Sequence, residues 1–174
     1  MKKEKLLPVA LTAFAVAADQ ISKAFIVKNW PADNTFIADV FGNDFLWIYH
    51  VRNKAIAFSL GHNLPDWIKP VLFILLPAAV LIFLLVHYFK SDEFSPLQRW
   101  ALAGILGGGF GNLIDRIFRR NGVVDFISVK LYGFLGFERW PTFNFADSFV
   151  VVFGIVLLFT VFFKTDAKKS QTQR

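Results

Sequence analysis

The sequence predicts a polytopic α-helical membrane protein with four transmembrane helices, a small extracytoplasmic β-sheet and a short interfacial helix. Three observations support this fold class. Hydrophobic residues make up 55% of the 174 residues and charged residues only 18%, whereas soluble domains average about 45–50% and 25%. The mean hydropathy is +0.49. Four apolar runs also approach the roughly 20 residues that a helix needs to cross a bilayer. We therefore expect residues 1–174 to form one membrane-embedded domain.

The first predicted span, 6–27, follows a lysine-rich start. It carries Asp19 and Lys23, which are four residues apart and can neutralise each other on one helix face. An alternative is a cleaved signal peptide with the Ala-Val-Ala of 15–17 as its cleavage site. Because the apolar character continues past that site, we expect an uncleaved helix in which Asp19 and Lys23 form a structural ion pair.

The next segment, 28–68, is predicted to lie outside the hydrocarbon. Turn residues interrupt it, and aromatic and β-branched residues are concentrated in 45–51, as they are in strands. Asn63 could cap a short helix in which Trp67 and Ile68 suit a membrane interface. This segment therefore predicts strands of a small sheet, followed by the interfacial helix.

Three further spans are predicted at 69–89, 96–118 and 144–163. Pro77 lies inside the first of them, where neighbouring groups can satisfy the freed backbone. The second contains two pairs of glycines four residues apart, a spacing that lets another helix approach closely. The connection 119–143 is predicted to lie outside the hydrocarbon and to contribute a further strand.

Four spans place both termini on the same side of the membrane. Lysines near both ends favour the cytoplasm for the termini, although the outer segments 28–68 and 119–143 also carry basic residues. In this topology Asp125 and Asp147 lie together at the outer face.

Several function classes are disfavoured by composition and spacing. The chain has no Cys, which excludes disulfides, thiolate metal sites and a cysteine nucleophile. It has no H-E-x-x-H and no G-x-S-x-G, so zinc peptidases and serine hydrolases with an elbow motif are disfavoured. The net charge is +6, but no basic stripe stands clear of the apolar runs. We therefore expect anionic lipid, and no nucleic acid, as the partner of the basic residues.

Three carboxylates, Asp115, Asp125 and Asp147, lie at or next to the ends of apolar runs. Charge beside hydrocarbon is expensive and is therefore a functional-site hypothesis. Asp147 is near the start of the last helix, where the helix N-terminus favours an anion. Two carboxyls in a poorly solvated site can share a proton, so that one activates water while the other donates to the substrate. Asp125 and Asp147 could form such an aspartic-peptidase pair.

Three alternatives to this pair remain open on spacing alone. Each Asp could simply cap a helix or pair with Arg116 or Lys23. Asp19, Lys23 and Asp115 could form an ion relay of a carrier. A metal-dependent lipid-modifying enzyme could also begin from clustered carboxylates.

Four motifs, taken in order, favour the peptidase. Residues 19–23 match D-x-x-x-K, and 111–116 match G-N-x-x-D-R. Residues 123–126 match V-x-D-F, and 143–147 match F-N-x-A-D. In this order and across nearly the whole chain, they resemble the motifs of lipoprotein signal peptidase (signal peptidase II), a family of bacterial membrane aspartyl peptidases.

The resemblance implies site residues as well as an activity. The family's catalytic pair falls on Asp125 and Asp147. The positions that support the site or bind substrate fall on Asn53, Asn112, Asp115, Arg116 and Asn144. The loop after Asn53 departs from the family pattern, because Ala55 stands where the family has Gly.

The resemblance also implies a substrate and a location. The substrate would be a prolipoprotein carrying diacylglyceryl-Cys, cleaved just before that Cys by water held between the two Asp. The sheet would be the family's cradle, and 63–68 its closing flap or helix. The location would be the bacterial cytoplasmic (inner) membrane, with both termini cytoplasmic and the site toward the extracytoplasmic face. Membrane lipid would surround a protein that we expect to be a monomer, with no metal and no organic cofactor.

Overall fold

A bundle of helices carries a three-stranded sheet at one end. The computed structural model describes residues 3–53, 65, 67–119 and 121–172. The antiparallel sheet has the strand order β1-β2-β3. The elements are α1 (Lys3–Leu6), α2 (Val9–Asn29), β1 (Thr35–Asp39), β2 (Leu46–Asn53), α3 (Leu76–Lys90), α4 (Pro96–Phe118), β3 (Val123–Val129) and α5 (Phe145–Thr172).

Three helical segments within the described residues are long and apolar enough to cross a membrane, namely Glu4–Asn29, Val71–Lys90 and Phe145–Phe162. They coincide with three of the four predicted spans. α4 has 23 residues, but it is not among the candidate spans, so the four-span count stays a prediction. Its low hydropathy has a structural reason, because four of its five glycines and the polar residues Gln98, Arg99, Asn112 and Asp115 are buried. α4 packs against α2, α3 and α5.

Two helices do not have the same ends as the spans predicted within them. The first breaks near Pro8, which separates α1 from α2, because proline has no N–H to continue the hydrogen-bond ladder. The helix that contains the last span continues to Thr172, beyond the predicted end of the span at 163, whereas its apolar part, Phe145–Phe162, agrees with that span. Neither Gly nor Pro occurs between 163 and 172 to stop the helix.

Pro77 is accommodated by a π-helical turn, Val71–Leu75, that precedes α3. The backbone N–H of Leu76 donates to the Val71 carbonyl, five residues back. Pro77 thus enters at the first turn of α3, where a missing N–H costs little.

The predicted sheet is confirmed, and it draws on both of the non-helical segments. β1 and β2 come from 28–68, and β3 comes from 119–143. Val124 and Phe126 of β3 pack with Ile26 of α2 in a buried apolar cluster. Because side chains alternate along a strand, Asp125 between them faces the other way. The predicted interfacial helix falls mainly outside the described residues, apart from a turn at Trp67 and Ile68.

Candidate active site

The candidate site forms where α2 and α5 approach α4 closely. A Cβ added at Gly111 of α4 would lie 2.7 Å from Asp19 Oδ2 of α2 and 3.1 Å from Ala146 Cβ of α5. A Cβ at Gly107 would lie 2.6 Å from the Ala15 Cβ. These glycines therefore let the polar side chains of three helices meet, as the small-residue spacing predicts.

A buried ion cluster joins α2 to α4. Lys23 Nζ lies 2.8 Å from Asp19 Oδ2 and 3.2 Å from Asp115 Oδ2, and all three side chains are fully buried. Arg119 Nε donates to Asp115 Oδ1 at 2.9 Å. Two cations thus face two carboxylates. Buried charges of this kind are tolerated only when they are paired and hydrogen-bonded.

Two members of this cluster are absent from the sequence prediction. Gln20 Nε2 donates to Asp115 Oδ1 at 2.9 Å and to the Gly111 carbonyl at 3.0 Å. Arg119 bonds Asp115, where the sequence had offered Arg116 as a partner. The i, i+4 spacing of Asp115 and Arg119 is typical of an ion pair on one helix face, so this contact could have been predicted from the sequence. The role of Gln20 depends on how the helices cross, which the local sequence does not state.

Asp19 also caps α5 from the neighbouring helix. Its Oδ1 accepts a hydrogen bond from the Ala146 backbone N–H at 3.0 Å. The first turn of a helix has N–H groups without partners in the helix. The Asp19 carboxylate satisfies one of them and ties the start of α5 to α2.

Asn144 and Asp147 form a reciprocal cap at the start of α5. The Asp147 N–H donates to Asn144 Oδ1 at 2.9 Å, and the Asn144 N–H donates to Asp147 Oδ2 at 3.1 Å. This is the geometry of a capping box, with Asp at the third helical position. It holds Asp147 at the positive end of the helix dipole.

Asn112 of α4 connects the ion cluster to Asp147. Its Oδ1 accepts from Lys23 Nζ at 2.9 Å, and its Nδ2 donates to Asp147 Oδ1 at 2.7 Å. Asp147 therefore accepts bonds from a helix side chain and from the backbone of its own cap.

Asp125 of β3 lies close to Asp147 and is 2% exposed. Its Oδ1 accepts from Asn144 Nδ2 at 2.6 Å, and its Oδ2 accepts from Asn53 Nδ2 of β2 at 3.1 Å. Burial, helped by the Asp147 charge, raises the pKa of Asp125 to about 7, against the opposing effects of Asn53, Asn144 and Lys23. This carboxyl is therefore poised to exchange a proton near neutral pH.

Arg116 interacts electrostatically with Asp147, Asp125 and Asp115, in decreasing order. The structure thus brings all nine sequence-predicted site residues into one region, and their individual roles stay predictions.

The loop around Ala55, which the sequence comparison singled out, lies outside the described residues. Among the residues that the structure describes, no group of three His, Asp or Glu is placed to hold a metal ion.

Several known proteins are similar to this chain over most of its length. A family model described as signal peptidase (SPase) II matches residues 11–163. The lipoprotein signal peptidase of Treponema denticola is 48% identical over 156 residues, covering 90% of this chain and 88% of its own. That of Treponema pallidum is 43% identical over 158 residues, covering 91% and 84%. That of Borreliella burgdorferi is 44% identical over 145 residues, covering 83% of each chain.

A solved bacterial membrane enzyme shares the fold. Its TM-score is 0.77 at 25% sequence identity, covering 92% of this chain and 90% of the other. A second such structure has a TM-score of 0.72, also at 25% identity, covering 88% and 91%. Together with the apolar helices, these matches identify a membrane protein. Since the family model covers most of the chain and several relatives exceed 40% identity, the chain belongs to the signal peptidase II family.

Proposed function

We propose that this protein is an aspartic endopeptidase that removes the signal peptide from prolipoproteins, with Asp125 and Asp147 as its catalytic pair (the dyad). One observation carries the mechanism. Asn144 binds both carboxyls: its backbone N–H donates to Asp147, and its side-chain amide donates to Asp125. Burial raises the pKa of Asp125 to about 7. The substrate class comes from relatives of this chain named lipoprotein signal peptidases.

We assign the shared proton to Asp125, because the two carboxyls lie in different environments. Asp147 accepts bonds from Asn112 Nδ2 and the Asn144 N–H at the N-terminus of α5, and all of these favour the anion. Asp125 lies in a strand without a helix dipole, and burial raises its pKa. In the proposed mechanism Asp147 is therefore the base, and Asp125 in its protonated form is the acid.

This assignment gives a balanced hydrolysis. Asp147 removes a proton from water as the water oxygen attacks the scissile carbonyl carbon, while Asp125 gives its proton to the carbonyl oxygen. In the tetrahedral intermediate, Asp125 takes a hydroxyl proton back and Asp147 gives its proton to the leaving amine. The C–N bond then breaks, and both carboxyls return to their starting states.

The neighbouring residues support the dyad in this proposal. Asn53, Asn112 and Asn144 hold its carboxyl oxygens. Arg116 lies where its charge stabilises the ionised carboxylate, and it could also bind a substrate carbonyl. Asp115 anchors the buried ion cluster beneath them.

The proposed setting is the bacterial inner membrane, with four spans, cytoplasmic termini and the dyad toward the extracytoplasmic face. The sheet that carries Asp125 would serve as the cradle of the substrate, a prolipoprotein with a diacylglyceryl-modified Cys. Its lipid would anchor in the bilayer, so that the bond just before the Cys reaches the dyad. The protein would act as a monomer without a metal or organic cofactor.

The test is cleavage of a lipidated precursor by purified protein, followed by mass spectrometry. Asp125→Asn and Asp147→Asn should each abolish cleavage while the protein remains folded. Glu93→Gln, which removes an exposed carboxylate from the turn between α3 and α4, is the matched control and should cleave normally. Near-normal cleavage by either dyad variant would refute the assignment.

A further inference from the structure

Lys23 uses its whole hydrogen-bonding capacity at the buried cluster. An ammonium group has three N–H donors and no acceptor. Lys23 Nζ has three acceptors within reach: Asp19 Oδ2 at 2.8 Å, Asn112 Oδ1 at 2.9 Å and Asp115 Oδ2 at 3.2 Å. Neutralising two carboxylates explains two of these contacts. It does not explain the third, which is directed at a neutral amide.

The contact with Lys23 determines which way the Asn112 amide points. Because the ammonium can only donate, the side of Asn112 that faces it must be the oxygen. The amide nitrogen then faces Asp147 Oδ1 and donates to it at 2.7 Å. A flipped amide would direct its oxygen at the Asp147 carboxylate, which repels it, and its nitrogen at the ammonium.

Asn144 holds the same Asn112 oxygen, but less firmly. Its Nδ2 has two hydrogens and three acceptors in reach: Asp125 Oδ1 at 2.6 Å, Asn112 Oδ1 at 3.0 Å and the Val124 carbonyl at 3.3 Å. The shortest of these bonds goes to the Asp125 carboxyl. Lys23 therefore supplies the charged, dedicated donor that orients Asn112.

We propose that Lys23 is a positioning residue for the dyad, because its bond to Asn112 Oδ1 fixes the amide orientation in which Asn112 donates to Asp147. Lys23 touches neither carboxyl of the dyad in this arrangement and acts through Asn112. This role rests on the proposed function of Asp125 and Asp147. It goes beyond charge balance within the Asp19–Lys23 pair.

The same cation also contributes to the electrostatics of the dyad. The charged groups that face Asp125 are Asp147 from α5, Lys23 from α2 and Arg116 from α4. Burial raises the pKa of Asp125 most strongly, and Lys23 opposes that rise. Removing Lys23 should therefore shift the pH dependence of cleavage, whereas a purely structural lysine would leave it in place.

The test compares two variants that lack the ammonium. Lys23→Met leaves Asp19 and Asp115 short of a cation and could destabilise the fold. Lys23→Met/Asp19→Asn removes one charge of each sign and keeps the buried cluster neutral. We expect the double variant to lose roughly 10- to 100-fold in kcat, the range for one charge-assisted bond. KM should change less than about twofold, and the alkaline limb of the pH profile should move to higher pH.

A second comparison asks whether Lys23 acts through Asn112. In an Asn112→Leu background, Lys23→Met/Asp19→Asn should cause little further loss of kcat, because the amide to be oriented is gone. Lys5→Met is the matched control. It removes a lysine that bonds the Phe89 carbonyl and Asp92, and it should leave kcat, KM and the pH profile unchanged.

Two results would overturn the positioning role. One is a charge-balanced variant whose kcat and pH profile match those of Lys5→Met. The other is an equal loss of kcat with and without the Asn112 side chain. Asp147→Asn, measured alongside, distinguishes failure of the proposed function from failure of the positioning role. If Asp147→Asn still cleaves, the proposed function fails; if it is inactive while the Lys23 variants behave normally, only the positioning role fails.

Discussion

The raised pKa of Asp125 predicts that Asp125→Asn changes stability in a pH-dependent way. In the unfolded chain an Asp titrates near 3.8, whereas in the folded protein burial raises the pKa of Asp125 to about 7. The folded state therefore binds the proton more tightly. This contribution to stability is fully present below pH 3.8 and is lost as pH rises through about 7.

The size of the effect follows from the shift. A difference of about three pKa units at roughly 1.36 kcal/mol each corresponds to about 4 kcal/mol. Asn does not titrate, so the variant keeps a neutral side chain at every pH. Relative to the wild-type protein, Asp125→Asn should gain stability progressively between about pH 4 and pH 7, then level off.

Thermal unfolding in detergent measures this gain. The melting temperature of Asp125→Asn minus that of the wild type should rise by several degrees between pH 4.5 and pH 8. Asp44→Asn, whose carboxylate is 55% exposed, should show a much smaller pH-dependent difference. A difference for Asp125→Asn that stays constant, or that falls as pH rises, would refute the reasoning.

Three further predictions concern activity and packing. Cleavage should fall about tenfold per pH unit above the apparent pKa near 7, as Asp125 loses its proton, and a pH–rate profile from 5.5 to 8.5 would measure this; a flat profile would contradict it. Because the proposed mechanism uses no metal, cleavage rates with and without EDTA should agree, and a loss restored by added metal would contradict the mechanism. Gly111→Ala should lower the melting temperature, because the new Cβ would lie 2.7 Å from Asp19 Oδ2, whereas Gly154→Ala in α5, where a Cβ meets nothing within 4 Å, should not; equal melting temperatures would count against the close approach of α2 and α4.

Local signals predicted the helices best. The bounds of α4, Pro96–Phe118, match the predicted span, because Ser95, Pro96 and Gln98 form an N-terminal cap that is written in consecutive residues. The end of α5 was less predictable, since a polar stretch without Gly or Pro can be either helix or tail. The low hydropathy of α4 does not show where its polar residues lie. They face the bundle interior, which composition alone does not reveal.

In the candidate site, too, the contacts between residues close in sequence were more predictable than those between distant residues. The i, i+3 spacing places Asn112 and Asp115 on one helix face and joins Asn144 to Asp147 in the cap of α5, so both pairs could be found from spacing. The bonds from Lys23 to Asn112 and from Asn53 to Asp125 join residues 89 and 72 positions apart. Such contacts depend on tertiary placement. Motif resemblance grouped these residues, but only the structure shows which atoms meet.

The central claim is that Asp125 and Asp147 work as one catalytic unit. The most direct test measures single-turnover cleavage of a lipidated precursor by Asp125→Asn, Asp147→Asn and the double variant. Residues that act as a unit are strongly non-additive. Either substitution alone should therefore remove nearly all the activity, and the rate of the double variant should be within about tenfold of that of the less active single variant. Losses that multiply in the double variant, or a single variant that keeps near-normal rates, would contradict the claim.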